Sequence, residues 1–175
     1  MEKWDLYDKN RKYRGVSKRR DEKFLPGDYH IVVHICIFDS NKRMLIQKRN
    51  SNKKDWPNLW DLSVAGSAQH KEDSSTCAMR EIKEEIGLDV DLSDERPYIT
   101  IHFKYGFDDY YILKKDLDVD GLLLQKDEVD SIKWADKDEI LRLLDEGSFV
   151  PYQKSLIQLL FDMIKIRGAH SYYDF

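Results

Sequence analysis

A chain of 175 residues is the size of one domain, here residues 1–175, and can bury roughly 70% of the surface its unfolded form exposes. Its 33 acidic against 29 basic residues leave a formal net charge of -4, without the basic field that a nucleic-acid polymer selects. No apolar run approaches the roughly 20 residues that span a bilayer, and the opening MEKWDLYDKNRKYRG lacks an apolar signal core, so a cytoplasmic location is expected.

Along the chain the pattern is mixed α and β. Trp4 to Tyr7 and Tyr13 to Ser17 are expected to pair as a small hairpin, about 4–17, around the polar turn Asp8-Lys9-Asn10. Lys18-Arg19-Arg20 reads as a solvated basic run that is also able to meet phosphate. His30 to Phe38 is β-rich and mostly apolar, as in a strand buried on both faces. The turn Asp39 to Lys42 leads to a second strand, Met44 to Arg49. Asn50 to Asn58 is a polar loop containing Pro57, and Leu59 to Ala65 is expected as a short strand. Two strands, Tyr98 to Tyr105 and Tyr110 to Lys114, are expected to join through Gly106-Phe107-Asp108-Asp109. Ser131 to Trp134 reads as a strand and Lys137 to Leu144 as a helix. A last helix is expected from Pro151, in its first turn, to about Arg167, closing at Gly168. Cys36 in its strand and Cys77 in a helix make neither a disulfide framework nor a zinc set, and are read as buried, unreactive thiols.

The densest signal lies between Gly66 and Leu88, GSAQHKEDSSTCAMREIKEEIGL. Asp73 or Ser74 is a good helix N-cap, and Gly87 suits the left-handed residue that ends a helix. Ala78, Met79, Ile82 and Ile86 recur at three- and four-residue spacing and form one apolar stripe. Glu81, Glu84 and Glu85 then share another face, since residues three and four apart are helical neighbours. Three crowded carboxylates repel one another unless a cation sits among them, and such oxygen donors suit Mg2+ or Mn2+. Arg80 and Glu72 fit a supporting role, with a permanently charged guanidinium fork holding carboxylates at set angles.

Five residues separate Gly66 from Glu72, seven separate Glu72 from Arg80, and Arg-Glu-Ile-Lys-Glu-Glu-Ile-Gly-Leu follows. This resembles the Nudix box, G-x5-E-x7-R-E-U-x-E-E-x-G-U with U aliphatic, at every fixed position. The resemblance implies an α/β fold, a Nudix-type α/β/α sandwich around a mixed β-sheet. It also implies a pyrophosphohydrolase in which divalent ions, Mg2+ or Mn2+, sit on Glu81, Glu84, Glu85 and the Gly66 carbonyl. Its expected reaction is water attack on a phosphorus of a small-molecule diphosphate, and Glu81 matches the general base proposed for several relatives. Glu128 matches a late catalytic or metal-binding glutamate of other relatives, and equally reads as a loop acid beside Lys126. Asp108 and Asp109 are weaker rivals, read as turn residues.

Outside the box, GDYHIVVHICIF, LIQKRN, the Pro57 to Trp60 segment, the early WDLYDKNRK and the later QKDEVDSIKW resemble the subgroup related to isopentenyl-diphosphate isomerase, over about residues 2–145. That isomerase needs a cysteine one place before the box glycine and a metal-binding histidine one place after it. Ala65 and Ser67 stand there instead, and the full Arg-Glu-x-x-Glu-Glu pattern is kept. His30 falls where an isomerase metal histidine would lie, with His34 four residues on, but without the cysteine the pair reads as structural. Hydrolysis is therefore expected, with isomerase-like activity as the alternative. Trp56, Trp60, Tyr29 and Phe107 suit base stacking or the core equally, and Arg49 and Lys48 suit phosphate contact or solvent equally. Nucleotides, dinucleotides, nucleotide sugars and prenyl diphosphates all fit, with a nucleotide favoured.

Asp116-Leu-Asp118-Val-Asp120-Gly121, with Asp127 at the twelfth place, fits the start of a calcium-loop pattern. Asp127 replaces the expected Glu and the flanks read as strands, so an acidic turn is the better account. A non-catalytic calcium- or nucleotide-binding module is the alternative from a different class. A homodimer through the aromatic hairpin and the tail His170 to Phe175 is also expected as an option.

Overall fold

The protein is described here by a computed structural model covering residues 2–170. The tail from Ser171 to Phe175, named above as a dimer surface, lies outside the described residues.

The hairpin forms as expected: β1 (Lys3–Tyr7) and β2 (Tyr13–Arg19) pair antiparallel. Its turn closes on Asp8, whose carboxylate accepts the Asn10 and Lys12 amides at 2.8 and 2.9 Å. Arg11 then takes a left-handed φ of 61° and ion-pairs with buried Asp109, clamping the hairpin to the main sheet.

That sheet is built on β3 (His30–Phe38), which runs parallel to β8 (Gly106–Lys114) over nine residue pairs. β7 (Ile99–Phe103) lies antiparallel to β8 at one edge. On the other side, β4 (Met44–Arg49) pairs antiparallel with β9 (Val129–Ala135) and with the short β5 (Trp60–Asp61). β6 (Val64–Ser67) pairs with the first half of β3. Alternation divides the core. Ile31, Val33, Ile35 and Ile37 pack against Cys77, Ala78, Ile82 and Ile86 of α1 (Ser74–Ile86). Cys36, Phe38, Met44 and Ile46 pack against α2 (Lys137–Asp145) and α3 (Lys154–Met163). Helices therefore cover both faces of a mixed sheet, the α/β/α sandwich expected above. Burial of Ile82 and Ile86 is worth roughly 1.5–3 kcal/mol each. Burial also raises both cysteine thiols far above their usual range, so Cys36 and Cys77 are inert as expected.

Three expected boundaries move. The segment Leu59 to Ala65 splits into β5 and β6, because Ser63 turns inward between them and is fully buried. Its hydroxyl accepts the Ile37 amide at 2.8 Å and donates to the Leu45 carbonyl at 2.5 Å. β3 and β4 pair only at Phe38 and Met44; beyond that point Ser63 satisfies groups that a ladder would have paired, and the strands diverge. Gly106 to Asp109, read as a connection, belongs to β8, and the turn is Lys104-Tyr105. The close approach of β3 there needs a glycine, since a Cβ on Gly106 would lie 2.1 Å from the His30 carbonyl. The last helix runs from Lys154 to Met163, not from Pro151 to about Arg167. Hydrogen bonds between Trp60 and both Ser148 and Val150 keep the chain extended before it, and the Tyr152 hydroxyl donates to Asp61 at 2.9 Å.

Ser63→Ala would leave a buried amide and a buried carbonyl unpaired. A loss of about 2–3 kcal/mol is expected, read as a lower midpoint in urea denaturation.

Candidate active site

Helix α1 is set by its ends. Asp73 accepts the Thr76 amide at 2.8 Å at the N-cap, and Gly87 closes the helix at φ 71°. Met79 of the expected apolar stripe is only half-buried, and Cys77 takes its place in the core. The opposite face carries Glu81, Glu84 and Glu85 toward one cavity of about 530 Å³.

Arg80 organises that face. Its Nε and Nη2 donate to the two Glu72 carboxylate oxygens at 2.6 and 2.9 Å, and Nη2 also reaches the Ser67 carbonyl at 3.2 Å. Its Nη1 meets Glu84 at 2.9 Å and Glu81 at 2.8 Å. Glu72 is fixed in turn by the Gln69 amide at 2.8 Å. Glu85 is buried and accepts a 3.0 Å hydrogen bond from the side chain of Gln47. Burial raises Glu81 to about 7 against the pull of Arg80. Burial, reinforced by the charge of Glu81, raises Glu85 to about 8. Gly66 lies directly under Glu81: a Cβ there would sit 2.0 Å from Oε1.

Among the described residues no three His, Cys, Asp or Glu side chains converge as a ready metal cluster, because Arg80 lies between Glu81 and Glu84 and Gln47 meets Glu85. The donor chemistry nevertheless fits a hard divalent cation. The donors are all oxygen, two are carboxylates whose burial is relieved by a positive charge, and Gly66 leaves bare backbone beside Glu81. Arg80 keeps both oxygens of Glu72 if Glu81 and Glu84 turn away from it.

The other expected residues divide clearly. Glu128 lines the same cavity, ion-paired to Lys53. Arg49 lines it too, donating to Asp61 at 2.9 Å and to the Asp55 carbonyl at 3.1 and 3.0 Å; Lys48 does not line it. Arg20 joins from the hairpin, ion-paired with Glu2. Asp108 is a strand residue, not a turn residue, and enters the cavity 3.2 Å from His34. Asp109 points away, fully buried with Arg11, Ser74 and Thr100. The two histidines separate as well. His34 lines the cavity, while His30 lies under the Trp4 ring at 4.6 Å, where burial lowers it to about 4. Phe107 is core, Tyr29 packs on it, Trp60 lies under Lys133, and Trp56 stands half-exposed at the cavity. The calcium-like segment forms a 3-10 turn, Val119–Gly121, capped by Asp118, while Asp116 accepts the Ser40 amide.

Sequence reasoning missed Gln47, Lys53, Asp61 and Tyr152. Gln47 stood in an apolar strand as its lone amide, which was the available signal. Asp61 and Tyr152 come together only through the bridge between Trp60 and Phe149.

Comparison with known proteins agrees with this architecture. The NUDIX domain matches residues 28–159. The chain belongs to the Nudix family. It is 46% identical over 152 residues to lmo0368 of Listeria monocytogenes, named an uncharacterized Nudix hydrolase, covering 87% of this chain and 90% of that one. Isopentenyl-diphosphate Delta-isomerase 2 of Aromatoleum aromaticum is 28% identical over 121 residues, 65% of this chain and 62% of its own. Among solved structures, DR0079 of Deinococcus radiodurans superposes with a TM-score of 0.76 at 21% identity, covering 91% of this chain and 99% of that one, and shares the fold.

Two outcomes are expected from this Nudix site. Gly66→Ala would drive a methyl group into Glu81 and cost about 1–3 kcal/mol, measured by urea denaturation. Glu81 and Glu85 also bind protons more tightly folded than unfolded, so their contribution to stability is complete below 4.5 and is lost as pH rises through about 7 and 8. Metal-free protein in chelator is expected to lose up to about 1.4 kcal/mol per pH unit per group across that window. Glu81→Gln/Glu85→Gln, denatured at the two ends of the window, is expected to lack the decline.

Proposed function

We propose that this Nudix family member is a divalent-metal-dependent hydrolase of a nucleoside diphosphate derivative or a related organic diphosphate. One observation carries the reading. A single cavity gathers the part-buried Glu81 and the buried Glu85, with Glu84, together with the cations Arg49 and Lys53. An acid cluster of that kind suits a cation, and the basic pair suits a phosphate.

Glu81, Glu84 and Glu85, with the Gly66 carbonyl, would hold Mg2+ or Mn2+. When bound, such an ion neutralises phosphate charge and acidifies water. The chain's own groups do the rest. Arg80, anchored by Glu72 and the Ser67 carbonyl, sets the angles of Glu81 and Glu84. Glu81, which matches the base proposed for relatives, is the first candidate to accept a proton from an attacking water. Glu128, held by Lys53, is the second candidate for that role. The water oxygen bonds to one phosphorus and the bridging P–O bond breaks. The products are a phosphate monoester and the second phosphate-containing fragment, which leaves with the bridging oxygen. Arg49 and Lys53 orient the phosphates.

Isomerisation has less support. Ala65 lines the cavity where the isomerase cysteine would stand, and it has no proton to give. Among the described residues no helix is long and apolar enough to cross a membrane.

Phosphate release, after phosphatase coupling, should be measured for nucleotides, dinucleotides, nucleotide sugars and prenyl diphosphates with Mg2+ or Mn2+. Metal-dependent turnover of at least one class is expected, reduced about 100-fold or more in Glu84→Gln/Glu85→Gln. Turnover without added metal, or unchanged in the double variant, would sink the reading.

A further inference from the structure

Three aromatic side chains line the cavity: Trp4, Trp56 and Tyr152. Two are already engaged. Trp4 is stacked on His30 at 4.6 Å and 8°, with the Arg20 guanidinium 6.0 Å from its ring. Tyr152 stands edge-on to His34 at 5.9 Å and gives its hydroxyl to Asp61. Trp56 differs. It is 50% exposed and meets no ring or cation among the described residues.

Its backbone makes that exposure informative. Trp56 adopts φ 52°, a left-handed conformation that a bulky side chain rarely takes, and Asn58 beyond Pro57 adopts φ 62°. The loop is held there firmly. Two guanidinium nitrogens of Arg49 grip the Asp55 carbonyl while the third reaches Asp61, and Asn50 accepts the Asn52 and Lys53 amides. Strain of this kind persists where surrounding structure enforces it, and at functional sites it serves a ligand. Here Arg49 and Asn50 enforce it, yet half of the indole they present stays in water.

We infer that Trp56 is the stacking platform for the nucleobase of the substrate. The assignment deepens the hydrolase reading above and rests on it. An indole face takes a flat π-system. The remaining cavity walls near this loop are charged, with Arg49, Lys53, Asp55 and Asp61, and so suit a polar heterocycle better than an alkyl chain. The Asp55 carboxylate, next in sequence and also in the lining, offers an acceptor for a base N–H. One loop thereby carries Lys53 for phosphate and Trp56 for the base.

The test is calorimetric binding of α,β-methylene nucleoside diphosphates, one for each base, to the full chain with Mg2+. Matched ribosyl and prenyl analogues lacking a base are run beside them. Wild type is expected to bind at least one nucleoside analogue. Trp56→Leu should weaken that binding about tenfold or more, as loss of a base–aromatic stack does. Trp56→Phe should restore most of it, and the ribosyl analogue should be unaffected by either change. Equal weakening of the ribosyl analogue, or no loss in Trp56→Leu, overturns the platform. So does wild type that binds none of the nucleoside analogues. A wild type that hydrolyses only base-free diphosphates, losing this in Glu84→Gln/Glu85→Gln, would leave the hydrolase reading standing while removing the platform.

Discussion

The site depends on one guanidinium. Arg80 reaches Glu72 in the approach loop, the Ser67 carbonyl on β6, and Glu81 and Glu84 on its own helix. Without a fixed positive charge there, three acids of one helix would face one another in a space that burial already makes hostile to negative charge. Its attachment to Glu72 is bidentate and shielded, whereas Glu84 is half-exposed and bound through one nitrogen. The order of strengths matters for function: the carboxylates suited to a cation are the ones Arg80 holds more loosely. The guanidinium therefore offsets Glu81 and Glu84 while Glu72 keeps it oriented.

The space in front of that helix has a different cause. A sheet with complete ladders between β3 and β4 would leave no cleft at its middle. Ser63 replaces several rungs with one hydroxyl that both accepts and donates, so the strands separate without stranding buried backbone groups. His34 and Val32 of β3, Asp108 of β8 and Ala65 of β6 are exposed to the opening as a result. The loop after β4 and the chain before α3 then close it from the other side with Arg49, Trp56 and Tyr152. Rigid strands carry the inner wall, and loops carry the outer one, which is where relatives of one fold diverge in substrate.

How legible this was in the sequence follows from the range of the interactions. The bounds of β3 and β4 coincide with their apolar runs, and the α1 caps Asp73 and Gly87 are local chemistry that three residues suffice to declare. The same holds for Glu81, Glu84, Glu85 and Arg80, whose common face follows from helical spacing alone. Asp108 and Asp109 were misread because two acids after a glycine look like a turn. Their partners, Arg11 on the hairpin for buried Asp109 and His34 on β3 for part-buried Asp108, make strand positions tolerable for them. Pro151 was misread because its signal for a helix start is local, while the bond from Tyr152 to Asp61 spans 91 positions. Ser63 carried no signal at all, since a serine between apolar residues reads as an interruption, not as a joint.

The cavity's charge sets the last constraint. Its walls carry more carboxylates than Lys and Arg, with Glu2, Asp55, Asp61, Asp108 and Glu128 added to the helical acids. Several of these are spent internally: Asp61 on Arg49, Glu2 on Arg20, Glu128 on Lys53. Those pairs leave the three helix α1 acids, set against the one guanidinium of Arg80, as the densest group of carboxylates, and burial favours neutralisation of Glu81 and Glu85. A diphosphate approaching that wall alone would be repelled, and a cation alone would sit beside Arg80. The two together cancel, so a cation among the acids is what would let a diphosphate approach that wall. On the proposed reading, pairing of cation and anion falls to the wall, and discrimination among anions to the loop that holds Lys53 and Trp56.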